Sequence, residues 1–245
     1  MNLGRVSLLI LAPHPDDEVI GCGGVIQRAL ANQDSVRVIF VTSGDGYPRA
    51  AARLLGKPEA RLTPDDMIRL GQARESEAVA AARVMGLDPD DLVFLRYPDA
   101  GLASLSPEVR ASAVRDVRRV LEESRPSQLY VTDHADEHPD HRVANELAVE
   151  AIAASGIETD LFTFIVHSGG DVNWPASGRT YEKTQVGGVT YPVGVAWPPP
   201  VRLPVSAEQA EVKVRALMSH TSQWALDHAY LGKFVKSEEV FWKPG

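Results

Sequence analysis

The sequence predicts an α/β fold of the Rossmann type, in which helices cover both faces of a mostly parallel sheet. Short apolar runs rich in β-branched residues alternate along the chain with longer segments of helical periodicity. These runs contain few polar residues at alternate positions, which is typical of parallel strands buried on both faces. The repeated strand–helix order then predicts a parallel sheet with crossover helices.

Five apolar runs are predicted to form the strands of this sheet, at residues 6–12, 36–42, 92–95, 128–132 and 161–166. Helical patterns separate or follow them, at residues 17–32, 72–85, 107–124 and 142–155. Some helix ends carry clear signals. Ser106 before Pro107 is typical of a helix start, and Gly86 after Met85 is typical of a helix end.

The pattern changes toward the C-terminus, where residues 168–205 are rich in Gly and Pro. Two short β-prone runs, at 183–185 and 189–195, flank a Gly-Gly pair, which predicts a β-hairpin. A helical pattern returns over residues 206–223. We interpret residues 1–245 as one domain, in which the Gly/Pro-rich segment is a variable elaboration that shapes the pocket.

The charge balance argues against nucleic acid as a partner. The 245 residues include 25 Lys and Arg against 33 Asp and Glu, a net charge of −8, whereas phosphate binding requires a basic surface. The first apolar run, residues 6–12, is about a third of the ~20 residues that a membrane helix needs. We therefore expect a cytoplasmic protein without membrane insertion. The oligomeric state stays open, with a homo-oligomer as one option.

The chain has one cysteine, Cys22, which we interpret as a small buried thiol. One cysteine excludes an intrachain disulfide and a cysteine-based zinc cluster. Any metal must therefore be held by His, Asp and Glu.

Histidines and carboxylates cluster directly after two predicted strands. His14 and Asp17 follow the first strand three residues apart, and His138 and His141 follow the fourth with the same spacing. Because ligands bind at the carboxyl ends of strands in open parallel sheets, we expect the two clusters to lie together. Two His and one carboxylate suit Zn²⁺ at a catalytic site, and they also suit Fe²⁺. Asp16 is placed to reach a water on the metal as a general base.

Each of these features also has a purely structural interpretation. Acidic residues such as 16–18 are favoured in the first turn of a helix by the helix dipole. Gly21, Gly23 and Gly24 invite a dinucleotide-binding interpretation, but Ile26 breaks the G-x-G-x-x-G pattern. The pairing of two clusters at strand ends favours a metal site. The glycines favour close packing of the first helix on the sheet.

The residues at both clusters resemble the LmbE/PIG-L family of metal-dependent N-deacetylases. Residues 12–18 read Ala-Pro-His-Pro-Asp-Asp-Glu, residues 21–24 read Gly-Cys-Gly-Gly, and residues 138–141 read His-Pro-Asp-His. Weaker similarities follow in chain order around Arg74, at residues 94–99 and at residues 213–223. The resemblance covers most of the chain, from about residue 6 to residue 223.

The resemblance implies a role for each matched residue. The implied zinc ligands are His14, Asp17 and His141. It makes Asp16 the general base that deprotonates the attacking water. It also makes His138 the group that stabilises the oxyanion and protonates the leaving amine, with Asp140 nearby to orient it. The residues implied to contact the substrate are Arg74 and His220.

The implied activity is zinc-dependent hydrolysis of the acetamide of an N-acetylated small molecule, foremost an N-acetylglucosamine derivative, to acetate and a free amine. Fe²⁺ is an alternative metal in the cell. One rival hypothesis is an amidase of the same family that cleaves another amide, such as a sugar–thiol conjugate. A second rival is a Rossmann-like nucleotide-binding module without hydrolytic chemistry.

Overall fold

The computed structural model describes residues 6–167, 185–186, 189–190 and 200–243. Its main sheet has five strands, which are β1 (Ser7–Ala12), β2 (Ser35–Thr42), β3 (Leu92–Tyr97), β4 (Gln128–Thr132) and β5 (Asp160–Phe164). The strands lie in the order β3-β2-β1-β4-β5, and every neighbouring pair is parallel. This is the strand order of a Rossmann-type sheet, so the predicted fold class is confirmed.

Helices cover both faces of this sheet. They are α1 (Asp17–Ala31), α2 (Pro48–Leu55), α3 (Pro64–Met85), α4 (Pro107–Ser124), α5 (Pro139–Ser155), α6 (Ala207–Ser219) and α7 (Thr221–Gly232). One apolar core joins one face of the strands to α1, α3 and α6, and a second joins the other face to α4 and α5. Among the described residues, no helix has the length and apolar character needed to cross a bilayer.

Two short antiparallel pairs add to the main sheet. β6 (Gln185–Val186) pairs with β7 (Val189–Thr190), at the place of the predicted hairpin. β8 (Val201–Pro204) pairs with β9 (Glu238–Phe241), which the sequence did not predict because the two strands are separated by α6 and α7. The rest of the Gly/Pro-rich segment lies outside the described residues, so its role in shaping the pocket stays a prediction.

Several helices differ from their predicted bounds. The predicted helix 72–85 begins at Pro64, because the Thr63 hydroxyl and the Asp66 carboxylate cap each other's backbone N–H groups. The predicted helix 206–223 is two helices that meet at His220. Helix α5 begins at Pro139, so the second histidine cluster forms its first turn. Helix α2 was not predicted.

The glycines of α1 serve close packing. A Cβ atom on Gly21 would collide with the ring of Phe164, and one on Gly24 would lie 2.7 Å from the Val205 side chain. Helix α1 can therefore approach the sheet and β8 closely only with glycine at these positions. This packing accounts for the glycine cluster and removes the basis for a dinucleotide-binding interpretation.

Candidate metal centre

The predicted clusters meet at the middle of the sheet. β1 and β4 are neighbours, and the chain order of the strands reverses between them, which is where open α/β sheets bind ligands. We call residues 13–16, between β1 and α1, the first loop, and residues 133–138, between β4 and α5, the second loop. Both loops end at the start of a helix whose first turn carries a further candidate ligand.

The three predicted ligands converge on one point. His14 Nδ1 lies 3.2 Å from Asp17 Oδ2 and 3.3 Å from His141 Nε2, and the latter two atoms are 3.3 Å apart. Metal–ligand bonds of about 2.0–2.1 Å in a tetrahedral site would separate the ligand atoms by about 3.3 Å. All three side chains are buried. Their spacing and chemistry therefore fit a divalent cation, and the ring of His138 lies within 4.9 Å of both imidazoles, centroid to centroid.

Each candidate histidine ligand also has a carboxylate beside its second ring nitrogen. His14 Nε2 lies 2.9 Å from Asp99 Oδ1, and His141 Nδ1 lies 3.2 Å from Asp136 Oδ2. Such carboxylates orient metal-binding imidazoles and raise their basicity. Sequence reasoning assigned neither residue a role. Asp99 follows β3, so the rule that placed ligands at the carboxyl ends of strands could have found it.

The pKa shifts show that this point favours positive charge. Burial opposes protonation of His14, but the three carboxylates next to it raise its pKa well above the ordinary value. Burial also opposes protonation of His141, yet Asp136 and Asp17 raise its pKa to about 9. Burial disfavours ionised Asp17, but the two imidazoles hold its pKa well below the usual range. A bound cation would satisfy the same electrostatic preference.

Asp16 has an unusual backbone conformation at the edge of this cluster. Its φ is 135°, a value that residues with a side chain rarely adopt. The carboxylate lies 3.1 Å from Arg74 Nη2, and the backbone N–H donates to Glu18 Oε2 at 2.9 Å. Burial raises the pKa of Asp16 to about 6, against the opposing effect of Arg74. Such a pKa suits proton exchange near neutral pH.

Arg74 lines the cavity and also supports the first loop. It is buried, and its guanidinium donates to the carbonyls of Pro15 at 2.8 Å and Gly44 at 3.0 Å. Together with the contact to Asp16, these bonds involve both terminal nitrogens. The substrate contact predicted for Arg74 stays a prediction.

His138 is oriented by backbone rather than by the Asp140 side chain. The backbone N–H of Asp140 donates to His138 Nδ1 at 3.2 Å, so that Nδ1 is an acceptor and the neutral ring carries its proton on Nε2. The Asp140 carboxylate instead accepts hydrogen bonds from the backbone N–H groups of Ala100 and Leu102. Burial, followed by the charges of neighbouring histidines, lowers the pKa of His138 to about 4. His138 is therefore a neutral hydrogen-bond donor near pH 7.

His220 is fully buried at the corner between α6 and α7, and its Nε2 lies 3.2 Å from Glu18 Oε1. Glu18 in turn accepts the backbone N–H of Asp16, so this contact connects His220 to the first loop. The substrate contact predicted for His220 stays a prediction.

The candidate centre opens into a cavity of about 380 Å³, a size that suits a small molecule. Asp16, Asp17 and His138 lie on its wall with Arg74. The lining residues that sequence reasoning gave no role include Tyr47, Asp99, His167, Gln223, Asp227 and Tyr230. Most of these come from α7 or from segments that follow β2, β3 and β5, so tertiary structure assembles this wall.

Comparisons with known proteins identify the family of this chain. The PIG-L family profile, described as GlcNAc-PI de-N-acetylase, matches residues 9–152. A 1D-myo-inositol 2-acetamido-2-deoxy-alpha-D-glucopyranoside deacetylase from Streptomyces griseus is 32% identical over 159 residues, which cover 59% of this chain and 47% of that protein. The chain thus spans about half the length of this curated relative.

Two solved structures share the fold. N,N'-diacetylchitobiose deacetylase from Pyrococcus horikoshii is 20% identical with a TM-score of 0.65, over 98% of this chain and 84% of that chain. GalB, the 4-carboxy-2-hydroxymuconate hydratase from Pseudomonas putida KT2440, is 18% identical with a TM-score of 0.66, over 94% of this chain and 83% of that chain. One fold therefore hosts both a deacetylase and a hydratase, and the fold alone does not define the reaction. Because the family profile covers more than half of the sequence, this chain belongs to the PIG-L (GlcNAc-PI de-N-acetylase) family.

Proposed function

We propose that this protein is a metal-dependent hydrolase that removes the acetyl group from an N-acetylated sugar derivative. The observation that carries the proposal is the triangle of ligand atoms from His14, Asp17 and His141, with sides of 3.2–3.3 Å. Asp16 and His138 line the cavity next to this triangle, so a proton acceptor and a hydrogen-bond donor face the same space. This is the set of groups that amide hydrolysis requires.

Zn²⁺ is the metal that we propose, because two imidazole nitrogens and one carboxylate oxygen form a common set of ligands for catalytic zinc. Fe²⁺ is the alternative, since the same ligands suit it. When bound, such an ion supplies a nucleophilic water near neutral pH and a Lewis acid for the acetyl carbonyl.

The residues of the chain divide the remaining work. Asp16 accepts the proton of the attacking water and later passes it to the leaving amine, for which a pKa of about 6 is suitable. His138 donates its Nε2 proton as a hydrogen bond to the oxyanion. This division gives amine protonation to Asp16 rather than to His138, because His138 is neutral and its Nδ1 is held by a backbone N–H.

We further propose that the substrate carries no phosphate near the metal. Among the described residues, the cavity wall has the carboxylates of Asp16, Asp17, Asp99 and Asp227. The same wall offers one arginine, Arg74, whose terminal nitrogens already bind the first loop and the Gly44 carbonyl. An anionic group would be repelled here. An uncharged N-acetylglucosamine conjugate fits, in line with the acetamido sugars named for two relatives.

Acetate release tests the proposal. The metal-loaded protein is expected to release acetate from N-acetylglucosamine conjugates, with N,N'-diacetylchitobiose as one probe and a 6-phosphorylated analogue as a poorer substrate. Chelator should abolish the activity, and added Zn²⁺ or Fe²⁺ should restore it. Absence of acetate release from the whole panel would contradict the proposed activity.

A panel of other amides and a thermal-stability measurement separate the rival functions. Faster cleavage of longer acyl groups or of a sugar–thiol amide would favour an amidase with another substrate. Thermal stabilisation by nucleotides, together with indifference to metal and chelator, would favour a binding module. The cytoplasmic location, the oligomeric state and the single-domain organisation stay predictions from the sequence.

A further inference from the structure

The backbone of Asp16 needs support from its surroundings. Non-glycine residues held in sparsely populated backbone regions cost about 1–3 kcal/mol, and they persist only where neighbouring groups hold them. Asp16, with its φ of 135°, is such a residue. Arg74 holds its carboxylate, and Glu18 holds its backbone N–H. Glu18 takes no part in the proposed proton transfers.

Glu18 is itself held by the C-terminal helices. Its carboxylate is almost completely buried, and a buried carboxylate needs hydrogen-bond donors. One oxygen, Oε2, accepts the N–H of Asp16 at 2.9 Å, and the other, Oε1, lies 3.2 Å from His220 Nε2. The side chain therefore bridges the first loop and the corner between α6 and α7.

That corner is tied in turn to α3. The Glu77 carboxylate accepts the backbone N–H of Ser222 at 2.8 Å and the hydroxyl of Thr221 at 2.6 Å, in the first turn of α7. Glu77 lies one helical turn after Arg74 on α3. The same helix thus supports Asp16 twice, directly through Arg74 and indirectly through the corner that carries His220.

We propose that Glu18 and His220 are positioning residues for Asp16. Glu18 fixes the strained backbone through the N–H of Asp16, and His220 fixes Glu18, so that the Asp16 carboxylate points into the cavity. This role requires no contact with the substrate. The catalytic consequence rests on the proposed function, whereas the structural consequence does not.

Amide hydrogen exchange at Asp16 tests the structural part without any activity. Glu18→Ala and His220→Ala should raise the exchange rate of the Asp16 N–H by about tenfold or more, as expected when a hydrogen bond to a charged acceptor is lost. Glu239→Ala is the matched control. Glu239, in β9, is also a buried carboxylate. It accepts the N–H groups of Gly24 and Val25 in α1 and a hydrogen bond from Lys213, and none of these three bonds involves Asp16.

Steady-state kinetics test the catalytic part, with kcat expressed per bound metal. Glu18→Ala and His220→Ala should lower kcat by about 10- to 100-fold, the effect of misplacing a reacting group by about 1 Å, with KM little changed. Glu18→Gln should keep most of the kcat that Glu18→Ala loses. Its amide oxygen can accept the Asp16 N–H, and its amide nitrogen can donate to His220 when the imidazole carries its proton on the other nitrogen. Glu239→Ala should lower the melting temperature but leave kcat near that of the unmodified protein.

Three results would overturn the positioning proposal. They are unchanged exchange at Asp16 in both alanine variants, an equal loss of kcat in Glu239→Ala, and a loss of kcat that disappears once metal content is matched. If His220→Ala does not fold, His220→Leu carries the test, since leucine fills a similar volume but cannot donate to Glu18. If the unmodified protein releases no acetate, the proposed function fails, and the exchange measurement still decides whether Glu18 and His220 hold Asp16.

Discussion

The first and second loops both deliver a histidine to the metal centre, yet they are stabilised in different ways. In the second loop, the Asp133 carboxylate accepts the N–H of Ala135 at 2.8 Å, and the Asp136 carboxylate accepts the N–H of His138 at 2.9 Å. Among residues 133–138 none has a positive φ. This loop therefore satisfies part of its backbone with its own aspartates, and the carbonyls of Phe164 and His167, at and just after the end of β5, accept the N–H groups of Asp133 and Glu137.

The first loop depends on distant parts of the chain. The carbonyl of Pro13 accepts the N–H of Thr42 at 3.0 Å, and that of Pro15 accepts a hydrogen bond from Arg74. The strained Asp16 is bonded to Arg74 and to Glu18. The comparison teaches that the loop with the reactive carboxylate is the one that contains a strained residue, and that side chains of α1 and α3 hold this residue in place. Substitutions of those side chains should therefore change the geometry of the first loop and leave the second loop in place.

The largest expected effect comes from the same substitution made in both loops. Asp16→Asn should lower kcat by about 10²- to 10⁴-fold with metal retained, because the amide cannot accept the proton. Asp133→Asn should leave kcat nearly unchanged, since its amide oxygen still accepts the Ala135 N–H. Acetate release and metal analysis check both variants. Full activity in Asp16→Asn would contradict the role of the carboxylate.

Metal removal should destabilise the pair of loops together. Without a cation, protons on His14 and His141 offset the charges of the surrounding carboxylates. A bound metal takes over this role and adds the free energy of its own binding to the folded state. A ligand present at about 100 times its Kd adds roughly 2.7 kcal/mol of stability. For a chain of this size that corresponds to about 5–10 °C in Tm. Calorimetry with and without chelator measures the shift. His14→Ala should show no shift in Tm, because it lacks a metal ligand. An equal Tm with and without chelator for the unmodified protein would count against a bound metal.

Substitutions of the carboxylates next to the two histidine ligands should lower metal affinity by similar amounts. Asp136→Asn behind His141 and Asp99→Asn behind His14 should each weaken metal binding by about 10- to 100-fold, because the imidazole loses its charged partner. Competition titration with a chelator of known affinity gives both values. Unchanged metal affinity in both variants would mean that these carboxylates do not support the ligands.

The smallest expected effect is the difference between two glycine-to-alanine variants. This difference distinguishes backbone strain, which both variants share, from loss of support for the first loop. Gly44→Ala and Gly56→Ala both place alanine at a positive φ, of 68° and 63°, which costs about 1–2 kcal/mol. A Cβ on Gly44 would also collide with the Arg74 guanidinium, whereas one on Gly56 meets open space. Gly44→Ala should lower the free energy of unfolding, measured by chemical denaturation, by about 1–3 kcal/mol more than Gly56→Ala does. It should also lower kcat. Equal losses in the two variants would show that Arg74 moves away without consequence.

The sequence predicted the elements that local physics defines. The strands of the main sheet are apolar runs, and the start of α4 has a serine cap followed by proline, so their residues identify them without a partner. The meeting of the two histidine clusters was also within reach, because parallel strands bring their carboxyl ends to one edge of a sheet. The choice of His141 over His138 as a ligand came from the family resemblance. Strands β8 and β9 could not be recognised in this way, since each becomes a strand only by pairing with the other.

The sequence by itself determined the sheet and the positions from which the candidate ligands approach the centre. Only the tertiary structure decided what the supporting residues do. Arg74 and His220 matched a family pattern, yet their contacts run to Pro15, Gly44, Asp16 and Glu18 within the protein. The physical reason is that a buried polar side chain must bond to whatever groups the fold places around it. Those neighbours come from segments up to 202 positions away in the chain, a separation that no local pattern encodes.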